Sequence, residues 1–349
     1  MNKLFLGICF SSIIFLITGC SLSGSSSGET GGVLKTSDSG VSWELKRKVD
    51  EKQTLAKVDA LEMVIDPLDN DRIYLGTKDK GIVFSEDGAE TWKKIKFPAN
   101  KVYTLAVNYS KPSEIYASGV LGERGKIYKT SDYGEEWQEV YTEPADGTMI
   151  ISMAMDKNDP AVLYVGTSNG IILKTVDGGE TWRSIYTAAG PISKIIIGGG
   201  ADSHIYYLVY ESQVLVSGAA GDNFKIVGNN LGAASSELGK PYSLAVSDND
   251  SGWIYVGTNN GIFKSSNAGE TFAEINVLAT AKSFPIRSLA INPQNSEEIV
   301  YSAAQAIYRS VDGGKNWSTF QLNTGKLISK IIFNPSDVNT IYASLRSFQ

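Results

Sequence analysis

One eight-residue phrase is used seven times along this chain. Its last version is Ser310-Val311-Asp312-Gly313-Gly314-Lys315-Asn316-Trp317, and the earlier ones end at Trp43, Trp92, Trp137, Trp182, Phe224 and Phe272. The pattern is Ser or Thr, any residue, Asp, any residue, Gly, two more residues, then an aromatic; Thr175 to Trp182 is the cleanest copy. The aromatics are separated by 49, 45, 45, 42, 48 and 45 residues. A period of that length carried along a chain marks a repeat architecture, in which like units bury their apolar faces against one another.

Between phrases, short runs rich in Val, Ile and Tyr alternate with turn residues, the pattern of strands. Leu61 to Ile65 is followed by Arg72 to Gly76, then Gly81 to Phe84, then the second phrase. The same order recurs with Val102 to Val107, Ile150 to Met155, Ile192 to Ile197, Tyr242 to Val246 and Ile286 to Ile291 as first strands. The chain starts in the middle of a unit at Gly32 and stops after Ile328 to Phe333 and Thr340 to Ser344, in the middle of another. A ring resolves both ends: the Ile341 region pairs beside Leu34 and completes one unit from the two termini, leaving no open edge. The expected fold class is therefore all-β, a single seven-bladed β-propeller of four-stranded antiparallel blades.

Side-chain size supports the ring. The first strands align Leu105, Met153, Leu244, Leu289 and Ile331 at one position, and Ala106, Ala154, Ala245 and Ala290 at the next. Thr104, Ser152, Ser243 and Ser288 share the alanine face, which suits strands crowded towards an axis. Glu62, Lys194 and Lys330 take the Ser/Thr position elsewhere, lining a channel or reaching solvent at its mouth.

The phrase itself has the spacing of a tight hairpin between third and fourth strands. Asp caps backbone N–H groups of its own turn, glycine takes positive φ, and the aromatic packs back over the turn. Asp38 and Trp43, Asp87 and Trp92, Asp132 and Trp137, Asp177 and Trp182, Asn267 and Phe272, and Asp312 and Trp317 are thus structural, not catalytic. Ala89 replaces the glycine of the second copy and Asn267 the aspartate of the sixth; the fifth has Ala219 for its aspartate and should be the softest hairpin.

These phrases resemble Asp-box, or bacterial neuraminidase, repeats over essentially the whole chain after its leader. Similar rings occur in sialidases, xyloglucan-degrading hydrolases, sortilin-type receptors and the photosystem II stability and assembly factor family. One seven-unit ring with Ile-Tyr second strands and Asn/Asp-Pro turns is most similar to the last group, which implies a non-enzymatic role and a protein client.

Composition removes several alternatives. With 32 basic and 38 acidic residues the formal charge is -6, giving no electrostatic reason to expect nucleic acid. The single histidine, His204, excludes histidine triads and multi-histidine metal sites, and two cysteines, Cys9 and Cys20, supply neither a disulfide framework nor a Cys-based metal site. No cofactor, metal or catalytic residue is assigned. Sialidase chemistry needs an arginine cluster, whereas the arginines are scattered.

At the N-terminus, Lys3, an apolar run from Leu4 to Ile17 and Gly19-Cys20 have the shape of a secretion signal. Leu16 to Cys20 resembles the bacterial lipoprotein signal, implying a signal peptide over residues 1–19 and lipidation of Cys20. Residues 20–31 form a Ser/Gly-rich tether and residues 32–349 the propeller. Localisation is expected at the bacterial cell envelope, lipid-anchored, in the outer membrane if the cell is Gram-negative. The membrane is met through the lipid only, and a monomer is favoured.

The function expected is an envelope-anchored, non-enzymatic interaction or assembly scaffold with an envelope protein client. Its contacts are placed on the face carrying Lys48, Lys52, Arg124 and Asn230. The second reading is a glycoside hydrolase taking a polysaccharide, which needs two carboxylates flanking one bond. On the corresponding face the sequence offers Glu51, Asp59, Glu62, Asp79, Glu123, Glu143 and Asp146.

Overall fold

The computed structural model describes residues 31–49, 53–199, 204–228, 238–278 and 284–348. They form seven four-stranded antiparallel sheets, with no helix among the described residues. In six sheets the four strands are consecutive. The third blade, for example, is Ile150–Met155, Leu163–Thr167, Ile171–Thr175 and Arg183–Thr187. Counting in chain order, the blades begin at Ala60, Leu105, Ile150, Ile192, Pro241 and Ser288.

The closing blade is assembled from both ends of the described chain, in the order Glu44–Lys46, Val33–Thr36, Ile341–Arg346, Leu327–Phe333. Its register sets Leu34 opposite Ala343 and Thr36 opposite Ile341, the pairing expected from the phase of the repeat. Every first strand touches the first strand of the blades before and after it, and the series closes from Leu327–Phe333 onto Ala60–Ile65. The molecule is a seven-bladed β-propeller with first strands innermost. Its upper face carries the fourth-to-first and second-to-third connections, and its lower face the remaining turns.

Second strands are the densest part of the core. Tyr74, Tyr116, Tyr164, Tyr206, Tyr255 and Tyr342 are each at most 1% exposed, and burying one such ring contributes about 2 kcal/mol. Some of their hydroxyls reach across the blade joints: Tyr116 donates to the Gly178 carbonyl at 2.8 Å and Tyr255 to that of Ser296 at 2.9 Å. The second blade's first strand is shorter than its sequence suggests, running only over Leu105–Val107. Val102 is drawn away because its amide donates to Thr77 of the preceding blade, at 2.9 Å. Ile286 does the same to Thr258 at 3.2 Å, so the sixth blade starts at Ser288.

Candidate functional site

The repeated phrase lies on the lower rim and is fully used in holding its own turn. In the third blade the Thr175 hydroxyl accepts the Gly179 amide at 3.0 Å and donates to Asp177 Oδ1 at 2.6 Å. Asp177 also accepts the amide of Thr181 at 2.9 Å and its hydroxyl at 2.5 Å. These donors hold the Asp177 carboxyl well below the usual range. Asp38 is lowered to about 2, led by the Ser42 hydroxyl, and Asp312 to about 2, led by the Asn316 amide. Asp87 and Asp132 make the same closing contacts, and Asn267 copies them with Oδ1 accepting and Nδ2 donating to Thr271.

The turn needs positive φ at two successive residues, such as Gly178 (70°) and Gly179 (94°), or Gly88 (66°) and Ala89 (75°). At Gly134 and Gly269 a Cβ would meet Ile95 and Val227 of the preceding blade at 2.8 Å, so glycine here also permits close approach between blades. The tryptophans bury against these joints, and Trp137 and Trp182 donate to the carbonyls of Gly134 and Gly179. The fifth hairpin differs. Ser217 has only the Tyr207 hydroxyl and its neighbour's carbonyl as partners, and positive φ moves to Gly221 and Asn223.

Along the axis runs a channel of about 480 Å³, lined by first strands and ending at Pro67, Pro293 and Pro335. Its upper part holds three charges. Lys330 pairs with Glu62, and Lys194 donates to the Leu244 carbonyl at 2.7 Å. Burial, with the charge of Lys330 added, pushes the Lys194 amine down to about 8, against the opposing pull of Glu62. Of the two placements open from sequence, channel lining is the one found.

Three of the upper-face acids gather at the head of the first blade. The Asp59 carbonyl accepts the Lys78 amide at 3.0 Å, which sets the Asp79 hairpin beside Asp59, and Glu62 follows on the same first strand, opposite Gly76. Burial raises the Asp59 carboxyl, but Lys326 Nζ at 2.8 Å and the Ser347 amide at 2.9 Å outweigh it and hold it low. Asp79 has only Lys80, at 3.7 Å, and is exposed. On the second blade Asp146 is paired with Arg124 at 2.6 Å. Glu143 is only 2% exposed; burial raises its carboxyl, and at that depth a polymer cannot reach it. Glu51 lies outside the described residues.

From Asp59 a continuous line of contacts crosses the upper face. Ser347 leads to Phe348, whose ring lies 5.0 Å from the Arg346 guanidinium and 5.2 Å from that of Arg287. Arg287 lies 4.7 Å from the Tyr242 ring and donates to the Tyr210 hydroxyl at 2.6 Å. Tyr210 and Tyr242 meet edge to face at 5.5 Å. Beside Arg287 a cavity of about 410 Å³ opens between the sixth and closing blades, bordered by Phe284, Gln305 and Gln321. The sequence hid this assembly: its members come from four blades and share no common motif, and packing of the closing blade on the sixth brings Arg346 to Arg287.

The interaction residues expected from sequence do not form one cluster. The Lys48 carbonyl accepts the Trp92 amide at 2.9 Å, which sets it beside the first blade's lower hairpin. Arg124 lies at the tip of the long Ile115–Leu121, Arg124–Thr130 hairpin. Lys52, Asn230 and Cys20 lie outside the described residues.

No family model matches the chain. A stretch of 88 residues is 35% identical to an oligoxyloglucan-reducing end-specific xyloglucanase of Emericella nidulans, covering 24% of this chain and 11% of that protein. Among solved structures, a GH74 xyloglucanase from Xanthomonas campestris superposes with a TM-score of 0.68 at 16% identity, over 83% of this chain and 51% of that one. YCF48 from Cyanidioschyzon merolae gives 0.63 at 15%, over 82% and 95%. At such identities the structural likeness establishes the fold alone. The chain spans about half the length of the GH74 structure.

The match to a curated xyloglucanase overturns the non-enzymatic scaffold expected from sequence. The expectation rested on missing histidines, metals and an arginine triad. Glycoside hydrolysis needs none of these, only two carboxylates placed across a bond.

Proposed function

We propose that this propeller is a glycoside hydrolase acting on a xyloglucan-like polysaccharide laid across its upper face. The observation that carries the reading is the 35% identity to a xyloglucanase over 88 residues. The head of the first blade supplies the acids. Asp59, held ionised by Lys326 and Ser347, is assigned the base or nucleophile role. Asp79, exposed at its hairpin with Lys80 at 3.7 Å, is assigned the proton donor. Phe348, Tyr242 and Tyr210 offer aromatic faces further along the same path.

The test is incubation of the full chain with xyloglucan oligosaccharides, with products read by mass spectrometry. New reducing ends are expected, falling at least a hundredfold in Asp79→Asn, whose exposed position should leave folding intact. If no oligosaccharide is cleaved and none shifts the melting temperature, the reading fails. We further propose that the repeated hairpins are Asp-boxes, and that residues 1–19 are a signal peptide, with Cys20 lipidated and residues 20–31 tethering the propeller to the cell envelope. The intact mass of the processed protein checks this; the mass of an unmodified chain would overturn it.

A further inference from the structure

Arg287 and Arg346 approach the same phenylalanine ring, Phe348, at 5.2 and 5.0 Å. Neither makes an ion pair among the described residues, although the surrounding molecule is acidic overall. Arg287 spends one N–H on the Tyr210 hydroxyl, and Arg346 Nε is buried with no hydrogen-bond partner. Of the described acids beside the cluster, Asp59 accepts the Ser347 amide at 2.9 Å and is paired with Lys326, and Glu211 is directed to Lys240 at 3.5 Å and to the Tyr242 hydroxyl. Two half-buried guanidiniums facing one ring repel each other, and leaving the buried Arg346 Nε donor unused is costly. Both penalties vanish when a carboxylate sits between them, since the guanidinium fork matches a carboxylate bidentately.

We propose that this cluster is a subsite for an acidic sugar, a uronate residue of the glycan, with its carboxylate on Arg287 and Arg346 and its C–H face on the rings of Phe348 or Tyr242. This rests on the glycoside hydrolase reading and deepens it, making the preferred substrate a charged polysaccharide. The geometry is selective for three reasons. The rings supply flat apolar surface, the arginines supply charge and direction, and the adjoining 410 Å³ cavity is within the range of small-ligand pockets. Lysines would supply the charge without the fork.

The experiment is calorimetric titration of the full chain with glucuronic-acid-bearing xylan oligosaccharides and with the same oligosaccharides after carboxyl reduction. A neutral xyloglucan oligosaccharide and an acidic peptide serve as further ligands. The charged oligosaccharide should bind at least tenfold more tightly than its reduced form, with the difference shrinking as salt is raised. Arg287→Met and, separately, Arg346→Met should each cut that preference to threefold or less, and Arg287→Lys should restore it only in part. Circular dichroism melts of each variant show that it is folded. Equal affinity for charged and reduced forms, with xyloglucan still bound, would overturn the subsite and leave the hydrolase reading standing. Binding of the peptide with no glycan bound at all would overturn both.

Discussion

Four ion pairs cross the joint between the closing blade and the first blade. Lys35 and Lys46 reach Glu90 at 3.1 and 2.7 Å on the lower rim, while Lys326 reaches Asp59 and Lys330 reaches Glu62 above. Between the third and fourth blades no ion pair is found among the described residues. There, Tyr164 and Lys174 donate to the carbonyls of Ala219 and Ala220 at 3.3 and 2.8 Å, Tyr186 stacks on Phe224 at 4.3 Å, and Ser152 donates to the Ile192 carbonyl. The first joint borders a blade whose inner and outer halves are not continuous in the chain. Charge across it resists splaying that elsewhere a hairpin prevents. The second joint borders a hairpin that has lost its cap, where Lys174 adds a bond to a hairpin carbonyl beside the tyrosine contact that Tyr116 also makes at an intact copy.

The largest break in this comparison is removal of the closing strand. Ile341–Arg346 is buried along nearly its whole length and is the only link between Val33–Thr36 and Leu327–Phe333. Deleting residues 338–349 should abolish the cooperative melt and leave the chain open to limited proteolysis. The loss exceeds the roughly 5–15 kcal/mol that a domain has to spare. A deletion variant melting cooperatively within a few degrees of the parent would show that the ring does not depend on its closure.

Next comes the buried member of the clasp. Asp59 and Lys326 side chains are 13% and 10% exposed, so Asp59→Asn leaves an ammonium with no counter-charge at the closing joint. A loss of about 3 kcal/mol is expected from urea unfolding. The Asp59 carboxyl is lower in the folded chain than in the unfolded one, so its stabilisation is complete above the unfolded value, near pH 4. It is lost as pH falls through the folded value. Relative to the parent, Asp59→Asn should therefore cost less at pH 3 than at pH 7.

A smaller contrast sharpens the view of the two hairpins. Thr175→Ala removes the acceptor of the buried Gly179 amide and a donor to Asp177, which should cost about 2 kcal/mol. Ser217→Ala, whose hydroxyl serves neither role, should cost less than 1 kcal/mol by the same assay. Equal losses would mean that the fifth hairpin relies on its serine as the others do.

Most of this architecture was legible in the sequence because repeats average out local ambiguity. Seven copies fixed the strand order, the phase offset foretold that the Ile341 strand pairs beside that of Leu34, and small residues marked the axis. The loss of the Ala219 cap was legible as well, whereas the contact from Lys174 to Ala220 was not, since it comes from another blade. The upper-face cluster was illegible for the same reason. Arg287 and Tyr242 share one repeat position, just before Ser288 and Ser243, but Tyr210 and Phe348 lie on connections outside the aligned strands, and the four meet because successive blades pack side by side. The scaffold reading failed because it counted absent motifs, while a pair of carboxylates carries no motif to count.

The two regions meet again across the axis, where Lys194 of the fourth blade faces the Lys330–Glu62 pair of the closing joint. Burial and Lys330 depress Lys194 to about 8, below the ordinary value near 10.5. The unfolded chain therefore holds this proton more tightly, and between about pH 8 and 10.5 it binds more protons than the folded one. Stability attributable to Lys194 rises with pH through that window, and the cost is fully present below it. Channel water and the hydrogen bond to Leu244 offset part of the penalty, leaving an expected net cost of about 1 kcal/mol at neutral pH. Lys194→Met should accordingly be more stable than the parent at pH 7, with the gap closing by about pH 10. Groups remote from the channel are common to both proteins and cancel in the difference. Paired urea titrations at the two pH values measure it. A gap that stays constant would mean that the amine is not depressed and that the blades do not communicate charge through the channel.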